Sequence, residues 1–143
     1  MLVEDNVIFR ELLRDSLRHK FPLMEIAEAG NGVEALKMID SLSPNLIFMD
    51  IKLPGENGLK LTEKIKKIHP DTIIIILTSN DLPEYREAAF RFKADYFCSK
   101  GSMTNEEVIR LVKSILSEKG FNGDGSKGNW DFYEKLYHFP SHH

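Results

Sequence analysis

Apolar and polar positions alternate along the chain in two rhythms. Short apolar runs occur at 1–3 (MLV), 25–29 (EIAEA), 45–50 (NLIFMD), 72–77 (TIIIIL) and 95–99 (DYFCS), each of strand length and closed by polar or turn residues. Between them the spacing becomes helical, over VIFRELLRDSLRHK (7–20), VEALKMIDSL (33–42), LKLTEKIKKIH (59–69) and PEYREAAFRFK (83–93). In the first of these, Leu12, Leu13, Ser16 and Leu17 make the expected inward stripe. A last helix is expected to start at the cap Thr104, with a capping box closed by Glu107. It turns Val108, Leu111, Val112 and Ile115 inward and stops at Gly120. Five strands alternating with five helices predict a parallel sheet covered on both faces, because parallel strands need helical crossovers to connect them.

The pattern breaks after Gly120. FNGDGSKGN reads as a Gly-rich linker, and NWDFYEKLYHFPSHH is dense in aromatics. Trp130, Tyr133 and Tyr137 fall on one side of a helix and Phe132, Leu136 and Phe139 on another, so no face is purely polar. This irregular tail is expected to dock on a surface or to support a homodimer. Residues 1–119 then form one domain, and 120–143 a linker and tail.

Composition narrows the functional classes. A chain of 143 residues, 42% hydrophobic and 29% charged, has enough apolar material for one globular core. Its net charge of −3 argues against nucleic acid, whose phosphates call for a clustered cationic face. Runs such as IIIIL at 73–77 are far shorter than the roughly 20 residues that cross a bilayer. With no signal-peptide pattern at the start, a soluble cytoplasmic protein is expected. The single cysteine, Cys98, reads as a small core residue. His19 and His69 each end a predicted helix and lack metal-ligand spacing.

Candidate chemistry gathers around the stretch LIFMDIKLPGENG, where Asp50 ends an apolar run just before turn residues. Position alone favours a carboxylate that only ends the strand and hydrogen-bonds the turn. Other strand ends are polar too: Glu4 and Asp5 follow strand one, Thr78 and Ser79 strand four, and Lys100 strand five. In a doubly wound sheet of order 2-1-3-4-5 these residues converge on the crevice beyond the carboxyl ends of the strands, where such folds bind ligands. Three clustered carboxylates repel one another unless a cation joins them, and oxygen-only ligation suits Mg²⁺. Glu4, Asp5 and Asp50 are its candidate ligands. Lys100 and the Thr78 hydroxyl suit an anion, most simply a phosphoryl group, with the Asp50 carboxylate as its acceptor.

Four motifs, LVEDN (2–6), MDIKLPGENG (49–58), LTSND (77–81) and FCSKG (97–101), stand in order at the ends of four predicted strands. Through them the chain resembles the receiver domains of two-component response regulators over about residues 1–119. The resemblance implies a flavodoxin-like fold with Asp50 as phosphoacceptor and Mg²⁺ held by Glu4, Asp5, Asp50 and the backbone carbonyl of Lys52. It implies further that Thr78 and Lys100 grip the phosphoryl oxygens and that Phe97 is the aromatic that turns inward on phosphorylation. Phe97 lacks the tyrosine hydroxyl often found there, so a switch would run on packing. The phosphodonor would be a sensor histidine kinase or phosphotransfer protein, and the chain a signalling domain rather than an enzyme acting on an external substrate. Lys100→Ala is then expected to leave Mg²⁺ binding largely intact.

Two departures from the family pattern carry expectations. Gly101 replaces the proline that often follows the strand-five lysine, so a trans Lys100–Gly101 bond is expected. The first strand, Met1 to Val3, spans only about 10 Å at 3.3 Å per residue, which suggests a trimmed or misassigned start and a strand that limits stability. Two rivals are weighed. Haloacid-dehalogenase phosphatases use a similar strand-end aspartate but a second Asp two residues on, where this chain has Lys52. A receiver-like binding module that is never phosphorylated has no need for the full set Glu4, Asp5, Asp50, Thr78 and Lys100.

Overall fold

The computed structural model describes residues 1–79 and 82–126. Along the chain the elements are β1 (Leu2–Val3), α1 (Val7–Lys20), β2 (Glu28–Ala29), α2 (Gly32–Leu42), β3 (Leu46–Met49), β4 (Lys52–Leu53), β5 (Glu56–Asn57), α3 (Gly58–Ile68), β6 (Ile73–Thr78), α4 (Pro83–Arg91), β7 (Tyr96–Ser99) and α5 (Asn105–Glu118). The chain divides into two units, one of residues 1–14 and 26–104, the other of residues 15–25 and 105 onward.

The first unit holds a five-stranded sheet of order β2-β1-β3-β6-β7, parallel throughout. With β4 and β5 set aside as a separate ribbon, this is the expected 2-1-3-4-5 order. Each long strand is apolar on both sides, and the reason is visible at β3 and β6, where alternation sends successive side chains to opposite faces. Val3, Ile47, Met49, Ile74 and Ile76 join one buried cluster with Ala35 and Ile39 of α2, Leu61 and Ile65 of α3, and Ala89 of α4. Leu2, Phe48 and Leu77 line a small cavity with Phe9 and Leu13 of α1. Cys98 is buried and free, and burial pushes its thiol up, as a core residue requires.

Local chemistry explains where the helices start. Asn6 Oδ1 accepts from the Phe9 N–H at 3.0 Å, Asn31 Oδ1 from Glu34 at 2.9 Å and Asn57 Oδ1 from Leu59 at 2.8 Å, so an asparagine caps each of α1, α2 and α3. The turn read at Pro54-Gly55 is the tip of a two-stranded antiparallel ribbon that pairs Lys52 with Asn57 and Leu53 with Glu56. Gly55 has φ +71°, the value that the third position of a type II turn demands after proline.

Leu12 departs from the expected stripe: it is 61% exposed, whereas Leu13 and Leu17 are buried. Phe9, Leu13 and Leu17 are spaced four apart and share one line along the helix, and Leu12 lies about 100° around from Leu13.

In the second unit, α5 buries Val108, Val112, Ile115 and Leu116 and ends as a Schellman motif at Gly120, with φ +92°. The Phe121 N–H donates to Leu116 O at 2.8 Å and the Gly120 N–H to Ser117 O at 3.2 Å. Residues 121–126, read from the sequence as the start of a linker, fold as a turn. Asn122 N–H reaches Ser126 O at 2.7 Å, and Leu23 N–H reaches Asp124 O at 3.0 Å. Among the described residues no helix is long and apolar enough to cross a membrane, and no peptide bond is cis, so Lys100–Gly101 is trans as expected. The tail aromatics from Trp130 to Phe139, and Asn80 and Asp81 of the LTSND motif, lie outside the described residues.

Candidate functional site

Because all five strands of the sheet run the same way, their carboxyl ends share one edge, and hydrogen bonds bring the polar residues there into register. The Asp50 N–H donates to Val3 O at 3.1 Å, which seats Asp50 beside the acid pair Glu4-Asp5. The Lys100 N–H donates to Thr78 O at 2.9 Å, which seats the lysine beside the end of β6. One carboxylate oxygen from each of Glu4, Asp5 and Asp50 lies within 4.8 Å of the others. Glu4 and Asp50 are buried and Asp5 is exposed, so the cluster opens to water on one side.

Lys100 reaches into the cluster. Its ammonium donates to Glu4 Oε1 and, at 3.4 Å, to Asp50 Oδ2, and it stands 4.2 Å from the centroid of the Phe9 ring. The other oxygens are held by backbone: Asp50 Oδ1 accepts from the Ile51 N–H at 2.7 Å and Glu4 Oε2 from the Asn6 N–H at 3.2 Å. Burial, opposed by Lys100 and reinforced by the charge of Asp50, pushes the Glu4 carboxyl up to about 7.

Two features fix the backbone of the site. Gly58 follows the Pro-Gly turn so closely that a Cβ on it would collide with the Asp50 carbonyl oxygen and stand 2.8 Å from the carbonyl carbon, while its N–H donates to Ile51 O at 2.7 Å. Only glycine permits this approach. Arg10, on the first turns of α1, donates from Nη1 to the Glu4 carbonyl at 2.6 Å and from Nε to Glu28 Oε1 at 3.2 Å, and Arg14 reaches Glu28 Oε2 at 3.3 Å. The acid-bearing loop is thereby tied to the start of β2.

The sheet thus gathers Glu4, Asp5, Asp50 and Lys100 at one point, with Thr78 fully buried at the adjoining end of β6. Lys52 begins β4 with its side chain exposed, two residues past Asp50. Phe97 is buried, under the Arg86 guanidinium at 4.8 Å from its ring centroid. Phe9 and Arg10 are the participants that the strand-end reading missed. Their signal lay in their placement one turn into the helix that follows the acid pair, with Glu28 opening the strand next to β1.

A doubly wound α/β domain with an acid pair, a central strand-end aspartate and a lysine converging at one sheet edge defines a class of flavodoxin-like folds. The chain belongs within it to the response regulator receiver domains, whose family model matches residues 1–122. It is 36% identical over 117 residues to the chemotaxis protein CheY of Halobacterium salinarum, a match that covers 82% of this chain and 95% of that protein. It is 32% identical over 140 residues to the transcriptional regulatory protein HptR of Staphylococcus aureus, covering 95% of this chain but 55% of HptR. Among solved structures, a CheY-like receiver domain protein from Methanospirillum hungatei superposes with a TM-score of 0.75 at 26% identity, over 82% of this chain and 92% of that one. A LuxR-family DNA-binding response regulator from Staphylococcus aureus does so with a TM-score of 0.72 at 28% identity, over 80% and 94%. The relatives are response regulators, signalling proteins of two-component systems.

Proposed function

We propose that this chain is a phosphoacceptor domain that takes a phosphoryl group on Asp50 from a histidine kinase or phosphotransfer protein in the cytoplasm. Residues 1–119 carry that activity. The observation that supports it most is the convergence of Asp50, Glu4, Asp5 and Lys100 around one point open to water. The donor set fits Mg²⁺: it offers only oxygen, it is anionic, and its exposed side leaves room for the waters that this ion keeps. Glu4, Asp5 and Asp50 would hold the ion, with the Lys52 carbonyl completing the set by family analogy. When bound, it neutralises charge on the transferring phosphoryl oxygens.

The chain's own residues do the rest. The Asp50 N–H donates to Val3 O and its carboxylate Oδ1 accepts from the Ile51 N–H, so the carboxylate is positioned rather than free to rotate away. A carboxylate oxygen attacks phosphorus as the bond to the donor's nitrogen or acyl oxygen breaks, and the leaving group departs with its electron pair. Lys100 and Thr78 then face the oxygens of the acyl phosphate, and Phe97 reports the change through packing. With Mg²⁺ and acetyl phosphate the chain is expected to gain one acid-stable, base-labile phosphoryl group, detected by intact-mass measurement. Asp50→Asn should abolish it, and equal labelling of that variant would refute the assignment.

A further inference from the structure

Lys100 has a third contact that carries no formal charge. Its ammonium lies over the face of the Phe9 ring, 4.2 Å from the centroid, where the quadrupole of the ring attracts a cation. Phe9 is half-buried. Its backbone N–H is capped by Asn6 on the first turn of α1, and Phe9 lines the small cavity with Leu2, Leu13, Phe48 and Leu77. Lysine, by contrast, is a point charge on a flexible four-carbon stem. The carboxylates of Glu4 and Asp50 draw that charge toward the cation site, and a bound metal would draw on the same two carboxylates. The ring is unaffected by that exchange, since it neither titrates nor ligates a hard cation.

We infer that Phe9 is a positioning residue for phosphoryl transfer, holding the Lys100 ammonium beside Asp50 through its ring face when the carboxylates are engaged elsewhere. This rests on the reading of Asp50 as phosphoacceptor. Phe9 touches no reacting atom and acts through Lys100 alone.

The test is a double-mutant cycle on the rate of Asp50 phosphorylation by acetyl phosphate at saturating Mg²⁺. Phe9→Leu keeps apolar bulk but removes the ring face and is expected to slow labelling about three- to tenfold. Phe9→Tyr, which keeps the face, is expected to restore it. In a Lys100→Ala background, Phe9→Leu is expected to add no further loss. In the metal-free chain, the Lys100 ε-methylene protons should show a ring-current shift that Phe9→Leu removes. Equal slowing by Phe9→Leu with and without Lys100, failure of tyrosine to rescue, or absence of the ring-current shift would each overturn the inference while labelling of the parent chain stands. A parent chain that takes no label at Asp50 would instead overturn the phosphoacceptor reading, and this role with it.

Discussion

Replacing Lys100 by glutamine is expected to tighten Mg²⁺ binding, against the expectation drawn from the family motif that this lysine serves only the phosphoryl group. The ammonium is bonded to Glu4 and lies 3.4 Å from Asp50 Oδ2, so a metal must displace it or share its carboxylates. At that separation and an effective dielectric near 20, the Asp50 pair alone is worth about 5 kcal/mol before desolvation, and the contact with Glu4 adds to it. The lysine side chain is 16% exposed, so water recovers part of this as it withdraws. A tenfold gain in affinity, about 1.4 kcal/mol, is the expected floor at pH 8. The gain should shrink at pH 6. Lys100 opposes the upward push on Glu4, so removing it leaves the glutamic acid holding its proton more firmly, and that proton competes with the metal. Calorimetric titration of Mg²⁺ into parent and Lys100→Gln chains at both pH values reads the two effects separately. Unchanged or weaker binding by the variant at pH 8 would refute the competition.

The Glu4 carboxyl also links stability to pH in the absence of metal. Raised by burial from 4.5 to about 7, it binds a proton more tightly folded than unfolded. Its contribution is therefore fully present below about 4.5 and is lost as pH rises through about 7. Urea midpoints in EDTA should fall across that window, and Glu4→Gln should flatten the fall; an equal slope in the variant would exclude Glu4 as its source. Gly58→Ala is expected to cost about 1–3 kcal/mol, since its methyl must push aside the Asp50 carbonyl. It should also slow labelling of Asp50, and a variant as stable and as reactive as the parent chain would show that the β5–α3 junction yields without moving the aspartate.

The elements most legible in the sequence were those whose pattern is strong and local. The β3 and β6 runs are apolar on both faces because both faces are buried, and that alone separates them from half-exposed strands. The EIAEA run was read longer than it forms: only Glu28 and Ala29 pair as a strand, because their neighbour β1 offers only Leu2 and Val3 to receive them. The β4–β5 ribbon, with two residues in each strand, is too short for any periodicity and was visible only as turn chemistry. An inward stripe at spacings of three and four admits adjacent residues, so the pattern alone admits both Leu12 and Leu13; the structure centres the buried face on Leu13 and Leu17 and leaves Leu12 outside it.

The candidate site divides along the same line between topology and side-chain reach. Parallel order and strand polarity suffice to bring Glu4, Asp5, Asp50, Thr78 and Lys100 to one edge, so their convergence followed from the pattern of elements. What the pattern does not contain is how a cluster of acids settles when no metal is supplied. Two of the three carboxylates are buried, and a buried charge without a partner costs several kcal/mol. The nearest mobile cation must therefore fold inward. Lys100, 96 residues from Glu4 along the chain, does so, and on the proposed reading a single glutamic acid serves an ammonium in one state and a divalent ion in another. A lysine that only waited for phosphate would be solvated and remote from Glu4. On the proposed reading, its burial against Glu4, Asp50 and the face of Phe9 makes occupancy of the cation site and the freedom of Lys100 to meet a phosphoryl group two sides of one equilibrium.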